Sequence, residues 1–208
     1  LLKATEARFG FTLVEGYGLT EGTCASTANP VDGPHKPGTV GIPLPGQRVA
    51  IMGPDGSILP TGERGEVVIQ GANVMRGYLN QPEATADALA GGWLHTGDVG
   101  VLDEDGYLRL VDRIKDMIIR GGENIYPKEI ESVLLSHPAI LEAAVIGAPH
   151  PVYGEVPVAY VVTYPDATPD TEQLRAFAAT QLTKIKIPVT IDVVDALGPA
   201  AKDPAARL

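Results

Sequence analysis

Between Thr39 and Val111 apolar residues recur in short alternating runs, TVGIPL, QRVAIMG, GEVVIQG and VGVLDEDGYLRLV, parted by Gly- and Pro-rich turns such as Pro54 to Ser57. Alternation over a few residues between turn signals predicts short antiparallel strands. In the last run Asp103 to Gly106 separate two alternating halves, the pattern of a β-hairpin. Residues 1–111 are therefore expected to form a small β-rich subdomain, barrel-like or a distorted sheet.

The period changes after Arg113. Met117, Ile118 and Ile119 predict a short strand, and Gly121 and Gly122 a turn that needs positive φ or close approach. Pro127 suits the first position of a helix, where its missing N–H has no intrahelical partner to lose. Ile130, Val133 and Leu134 continue at helical spacing until His137 and Pro138. AAVIG and VPVAYVV predict two strands and TIDVV a last one. Between them, Asp170 to Leu182 predict a helix with Leu174, Phe177, Ala178 and Leu182 on its apolar stripe and Asp170 or Thr171 as its cap. This order predicts a compact α+β domain over 117–208, with the charged run 112–116 as a hinge between it and 1–111.

Charge narrows the partners. The 208 residues carry 16 basic and 26 acidic side chains, a net charge of -10, which opposes non-specific nucleic-acid binding and a polybasic membrane contact. The single cysteine, Cys24, has no partner for an internal disulfide, and no metal-type Cys/His spacing occurs. A reducing, cytoplasmic setting and a buried structural thiol are expected. No apolar run reaches transmembrane length, and LLKATEARFG lacks the layout of a signal peptide.

Three segments carry candidate chemistry. Asp112, Arg113, Lys115 and Asp116 follow a predicted strand, either as a solvated end or as donors and acceptors for a polar ligand. EGYGLTEG, Glu15 to Gly22, holds an aromatic, a hydroxyl and a carboxylate on a Gly-spaced turn. Such parts can stack on a base, bond a phosphate and hold Mg²⁺, or form an ordinary polar loop. GGWLHTGDVG sets Asp98 at a turn before a strand, where its carboxylate either accepts both hydroxyls of a ribose or closes a local turn. His95 is expected to be a structural residue and no catalytic base, since no carboxylate or nucleophile is evident beside it.

In order, EGYGLTEG, GERGEVVIQGANVMRGYLNQPEAT, GGWLHTGD and GYLRLVDRIKDMIIRGGENIYPKEIE resemble the adenylate-forming superfamily, specifically its AMP-forming acyl-CoA synthetases, from about Phe9 to Leu197. The resemblance implies a two-step reaction in which a small-molecule carboxylate attacks the α-phosphate of ATP and the thiol of coenzyme A then displaces AMP. By the same resemblance Tyr17, flanked by Gly16 and Gly18, stacks on adenine, Thr20 bonds the α-phosphate and Glu21 binds Mg²⁺. Asp98 and Arg113 match the ribose-holding residues, Lys115 matches the hinge, and Gly121, Gly122 and Glu123 match the loop that lines the pantetheine path.

Two departures limit what the resemblance implies. The family's phosphate-gripping loop lies upstream of EGYGLTEG and has no counterpart in these residues, so the chain is expected to be the C-terminal portion of a longer enzyme, unable to complete adenylation alone. Near the end, ALGPAAKDPAARL has Ala201 where the family has Gly, and Lys202 is the candidate catalytic lysine or simply a solvated tail lysine. A fragment of an amino-acid-adenylating domain, and a non-catalytic remnant serving as a nucleotide-binding or interaction module, are the alternatives. Self-association, or association with the remaining N-terminal part, is expected to cover apolar surface.

Overall fold

The alternating runs of the first half fold as two antiparallel sheets. The computed structural model describes residues 2–198 and separates the chain into two units, Leu1–Ile114 and Lys115–Leu208. In the first unit a helix α1, Leu2–Phe9, precedes three two-residue strands, β1 Gly16–Tyr17, β2 Thr27–Ala28 and β3 Ile42–Pro43, paired in that order. Four longer strands follow as a meander in sequence order: β4 Gln47–Met52, β5 Gly65–Gly71, β6 Leu94–Leu102 and β7 Leu108–Arg113.

Ile51, Val67 and Leu108 form the centre of this unit, with Val49, Leu59, Leu102 and Leu110 packed against them. Val67, Val68 and Ile69 are buried in succession, so β5 is covered on both faces. The meander does not close on itself. It is stitched instead to the smaller sheet, because Val40 N–H donates to the Leu108 carbonyl and Leu108 N–H donates to that of Gly41, each at 2.8 Å. Gly41 has φ +81°, and a Cβ there would lie 1.8 Å from the Ala28 carbonyl carbon, so only glycine permits the approach. The unit is thus a distorted, barrel-like pair of open sheets. A further helix α2, Pro82–Ala88, buries no residue, so it has no apolar stripe by which the sequence could announce it.

The second unit contains β8 Ile118–Arg120, β9 Glu123–Ile125, helix α3 Pro127–Leu135, β10 Ile140–His150, β11 Gly154–Thr163, helix α4 Thr171–Ala179 and β12 Thr190–Val193. Its five strands form one sheet in the order β10-β11-β8-β9, with β12 parallel to β11. Ile130 and Leu134 of α3 and Leu174 and Ala178 of α4 pack with Ile118, Ile125, Val145, Ala159 and Val161 as its core. The Asp170 carboxylate accepts from Glu172 N–H at 3.0 Å and caps α4. That helix ends at Ala179, short of Leu182, which remains buried in the following turn. Strand β9 is an element that the pattern did not indicate, being three residues long with only Ile125 buried.

Among the described residues, no helix is long and apolar enough to cross a membrane.

Candidate functional site

Three of the sequence-selected residues meet on one side of the first unit. Asp98 and Arg113 are register partners across β6 and β7. Asp98 lies inside β6, not at a turn before a strand. Gly97, with φ +70°, and ladder irregularities on both flanks absorb the kink without ending the strand. Thr96 fixes that kink: its hydroxyl accepts from Asp98 N–H at 3.1 Å and donates to the Val67 carbonyl at 2.7 Å.

The Asp98 carboxylate accepts the Tyr17 phenol on Oδ2 at 2.6 Å, and its Oδ1 stands 3.3 Å from Arg113 Nε. The Asp98 side chain is 16% exposed and that of Arg113 is 59% exposed. Burial, and then the hydrogen bond to Asp98, push the Tyr17 phenol well above its ordinary range. A carboxylate offers about four lone-pair directions. Two are engaged here, which leaves capacity for further hydroxyl donors.

Tyr17 stands at the head of the glycine-spaced loop. A Cβ at Gly16 would sit 2.9 Å from the Thr27 carbonyl oxygen and one at Gly18 only 1.6 Å from that of Cys24, so these glycines let the loop press against its return strand. Thr20 and Glu21 then fall on a 3-10 turn, Thr20–Gly22, with Thr20 exposed and Glu21 half-buried. Glu21 Oε1 accepts the Tyr78 phenol at 2.8 Å, and this carboxylate pushes the Tyr78 phenol up. Asn73 Nδ2 donates to the Gly22 carbonyl and to Gln47 Oε1, each at 2.9 Å, and Met75 N–H donates to the Glu21 carbonyl at 2.8 Å. Residues 73–78 therefore brace the loop. Only their recurrence within one ordered motif could have signalled this, because the residues meet across some fifty positions of sequence.

Two further expectations are corrected. Cys24 is exposed and not a buried thiol, because Thr23 and Cys24 both take positive φ and turn the chain at the surface. His95 does have a carboxylate beside it. Glu66 Oε2 lies 2.8 Å from Nδ1, and Glu66 Oε1 accepts from Gly97 N–H at 3.0 Å. The partners are cross-strand neighbours on β5 and β6, so sequence distance concealed them. His95 Nε2 faces the Ala90 carbonyl at 3.2 Å, and the pair acts as a brace behind the Gly97 kink.

No group of three or more His, Cys, Asp or Glu side chains that could hold a metal ion occurs among the described residues. Glu21 offers a single carboxylate. That suits Mg²⁺, which commonly rests on one or two carboxylates together with substrate phosphates and water.

In the second unit, Lys115 is its exposed first residue, on the 3-10 turn Ile114–Asp116. Gly121 and Gly122, with φ +60° and +89°, form the two-residue tip between β8 and β9, as a type I′ hairpin requires, and Glu123 is exposed just beyond. The tip borders a groove of about 260 Å³ lined by Arg120, Gly121, Glu123, Tyr153, Lys184 and Ile185. Lys202 lies outside the described residues.

Known proteins resemble this chain over most of its length. The family model described as AMP-binding enzyme matches residues 1–79, and that of the AMP-binding enzyme C-terminal domain matches residues 129–199. A feruloyl-CoA synthase from Amycolatopsis sp is 45% identical over 191 residues, 90% of this chain and 38% of that protein. The structure of ATP-bound MatB from Rhodopseudomonas palustris superposes with TM-score 0.89 and 41% identity, over 95% of this chain and 39% of that one. The o-succinylbenzoate coenzyme A synthetase from Bacillus subtilis, in complex with ATP and magnesium ion, gives TM-score 0.83 and 39% identity over 94% of this chain and 40% of that one. The chain belongs to the AMP-binding, adenylate-forming enzyme family. The curated relatives it matches include feruloyl-CoA synthase and 2-succinylbenzoate--CoA ligase, and it spans about two fifths of their length.

Proposed function

We propose that this chain forms part of an ATP-dependent acid–thiol ligase that activates a carboxylate as its acyl-adenylate and transfers the acyl group to coenzyme A. The Tyr17–Asp98–Arg113 cluster is the observation that carries this reading. Asp98 has carboxylate capacity left after its two present partners, enough to accept both hydroxyls of a ribose. Tyr17, anchored through its hydroxyl, then offers a ring with fixed orientation to the adenine. Arg113, 3.3 Å from the aspartate, can add a donor of its own.

Adenylation is the attack of a carboxylate oxygen on the α-phosphorus, with pyrophosphate as the leaving group. Charge builds on the phosphate oxygens, and donors placed in advance lower the barrier. Thr20 would supply a hydroxyl to the α-phosphate. Glu21, held by Tyr78, would bind Mg²⁺, which supplies charge neutralisation to the phosphates. In the second step the thiol sulfur attacks the acyl carbon and AMP leaves. Gly121, Gly122 and Glu123 would border the path of the thiol arm, where side chains at the tip would obstruct it. Residues 112–116, among them Lys115, would be the hinge between the two steps, and Lys202 the lysine that neutralises the reacting carboxylate and phosphate.

Nucleotide binding tests the site directly. AMP titrated into the chain should shift the NMR signals of Tyr17, Thr20 and Asp98, and D98A should abolish those shifts. Equal shifts in both proteins would exclude the ribose role. Release of AMP and pyrophosphate with a panel of carboxylates and coenzyme A separates a ligase from a nucleotide-binding remnant.

A further inference from the structure

The β8–β9 hairpin is joined to its sheet by little backbone. Its register with β11 is the single pair Gly154 and Arg120, supplemented by Gly121 N–H donating to the Tyr153 carbonyl at 2.8 Å. Two residues before Gly121, Ile119 N–H is accepted by a side chain, Glu155 Oε2, at 2.9 Å. The Glu155 carboxyl lies against Gly147 on the neighbouring strand, where the absence of a side chain leaves it room. A Cβ at Gly147 would stand 3.1 Å from the Glu155 carboxyl carbon. Alternate residues of β8 thus face β9 and β11, and on the β11 side a carboxylate takes the place that a ladder carbonyl would hold.

We propose that Glu155 is a positioning residue for the Gly121–Gly122 tip: its carboxylate extends the β11 edge by one acceptor and fixes where the hairpin leaves the sheet. The inference rests on the reading in which this tip borders the thiol path. Glycine at both tip positions supplies no packing of its own, so the tip's placement depends on such anchors.

Amide hydrogen exchange by NMR on the 208-residue chain reads the placement. E155A should speed exchange at Ile119 and Gly121 by about tenfold, while E155Q, whose carboxamide oxygen still accepts, should stay within about twofold of the parent. Ala159 and Val161, in the core of β11, should be unchanged. G147A, which crowds the carboxylate without removing it, should speed the same two amides and serves should E155A fail to fold. Unchanged exchange at Ile119 in E155A, or equal acceleration of every amide, overturns the proposal. In the enzyme containing this chain, E155A should raise KM for coenzyme A and slow thioester formation while leaving carboxylate-dependent pyrophosphate exchange intact, with E155Q rescuing. Faster local exchange without any change in the thiol step would remove the reading of the tip itself.

Discussion

The two partners of Asp98 differ in exposure, and this sets how strongly each should be coupled to it. Tyr17 donates a 2.6 Å hydrogen bond from a half-buried ring to a carboxylate only 16% exposed. A hydrogen bond to a charged group is worth roughly 1.5–3 kcal/mol, and its acceptor here is shielded from water. Arg113 is 59% exposed and 3.3 Å away, so solvent screening reduces its ion pair to roughly 0–1 kcal/mol. A double-mutant cycle of Y17F with D98A should therefore give a coupling at least about twice that of R113A with D98A. Trp93 is the only tryptophan and lies in the first unit, under the Arg48 guanidinium at 5.1 Å. Its fluorescence during urea unfolding thus reports on the unit that contains all three residues. Equal couplings, or a larger one for Arg113, would refute the ranking by exposure. A Tyr17 coupling below about 0.5 kcal/mol would refute the hydrogen bond as a stabilising element.

Three further outcomes are expected. The raised Tyr17 phenol favours the neutral folded form, so its contribution is complete below the ordinary tyrosine value of about 10 and is lost as pH rises above it. Y17F should lack this alkaline loss, and ultraviolet difference titration of the native chain should show a late-ionising tyrosine that is missing in Y17F; identical titrations of the two proteins would exclude the burial argument. G18A places a Cβ 1.6 Å from the Cys24 carbonyl oxygen and should cost more than about 3 kcal/mol in the Trp93 assay, the range of severe steric mutations. A cost near the ordinary ~1 kcal/mol would show that the loop yields freely. Cys24 should react with a thiol reagent in the native chain as one accessible equivalent, and a requirement for denaturant would contradict its exposure.

Much of the second unit was readable because its elements carry long-lived patterns: Ile130 and Leu134 on α3, Leu174 and Ala178 on α4, each at helical spacing and each buried. The hairpin turn at Asp103 to Gly106 was equally plain, since Asp103 Oδ1 accepts from the N–H groups of Asp105 and Tyr107 within its own few residues. Strand β9 and helix α2 were not readable. One is too short to establish a period, and the other buries nothing.

The amino-acid sequence by itself determined the order of the elements with a clear apolar period, the acidic balance and the four motifs that identify the family, because each is a local property of consecutive residues. Tertiary structure decided which side chains meet. Asp98 with Tyr17, Glu21 with Tyr78, His95 with Glu66 and Glu155 with Ile119 are separated by 81, 57, 29 and 36 positions. Such pairs depend on strand register and on where a glycine leaves room, and a shift of one residue in any ladder would turn the same side chains to the opposite face.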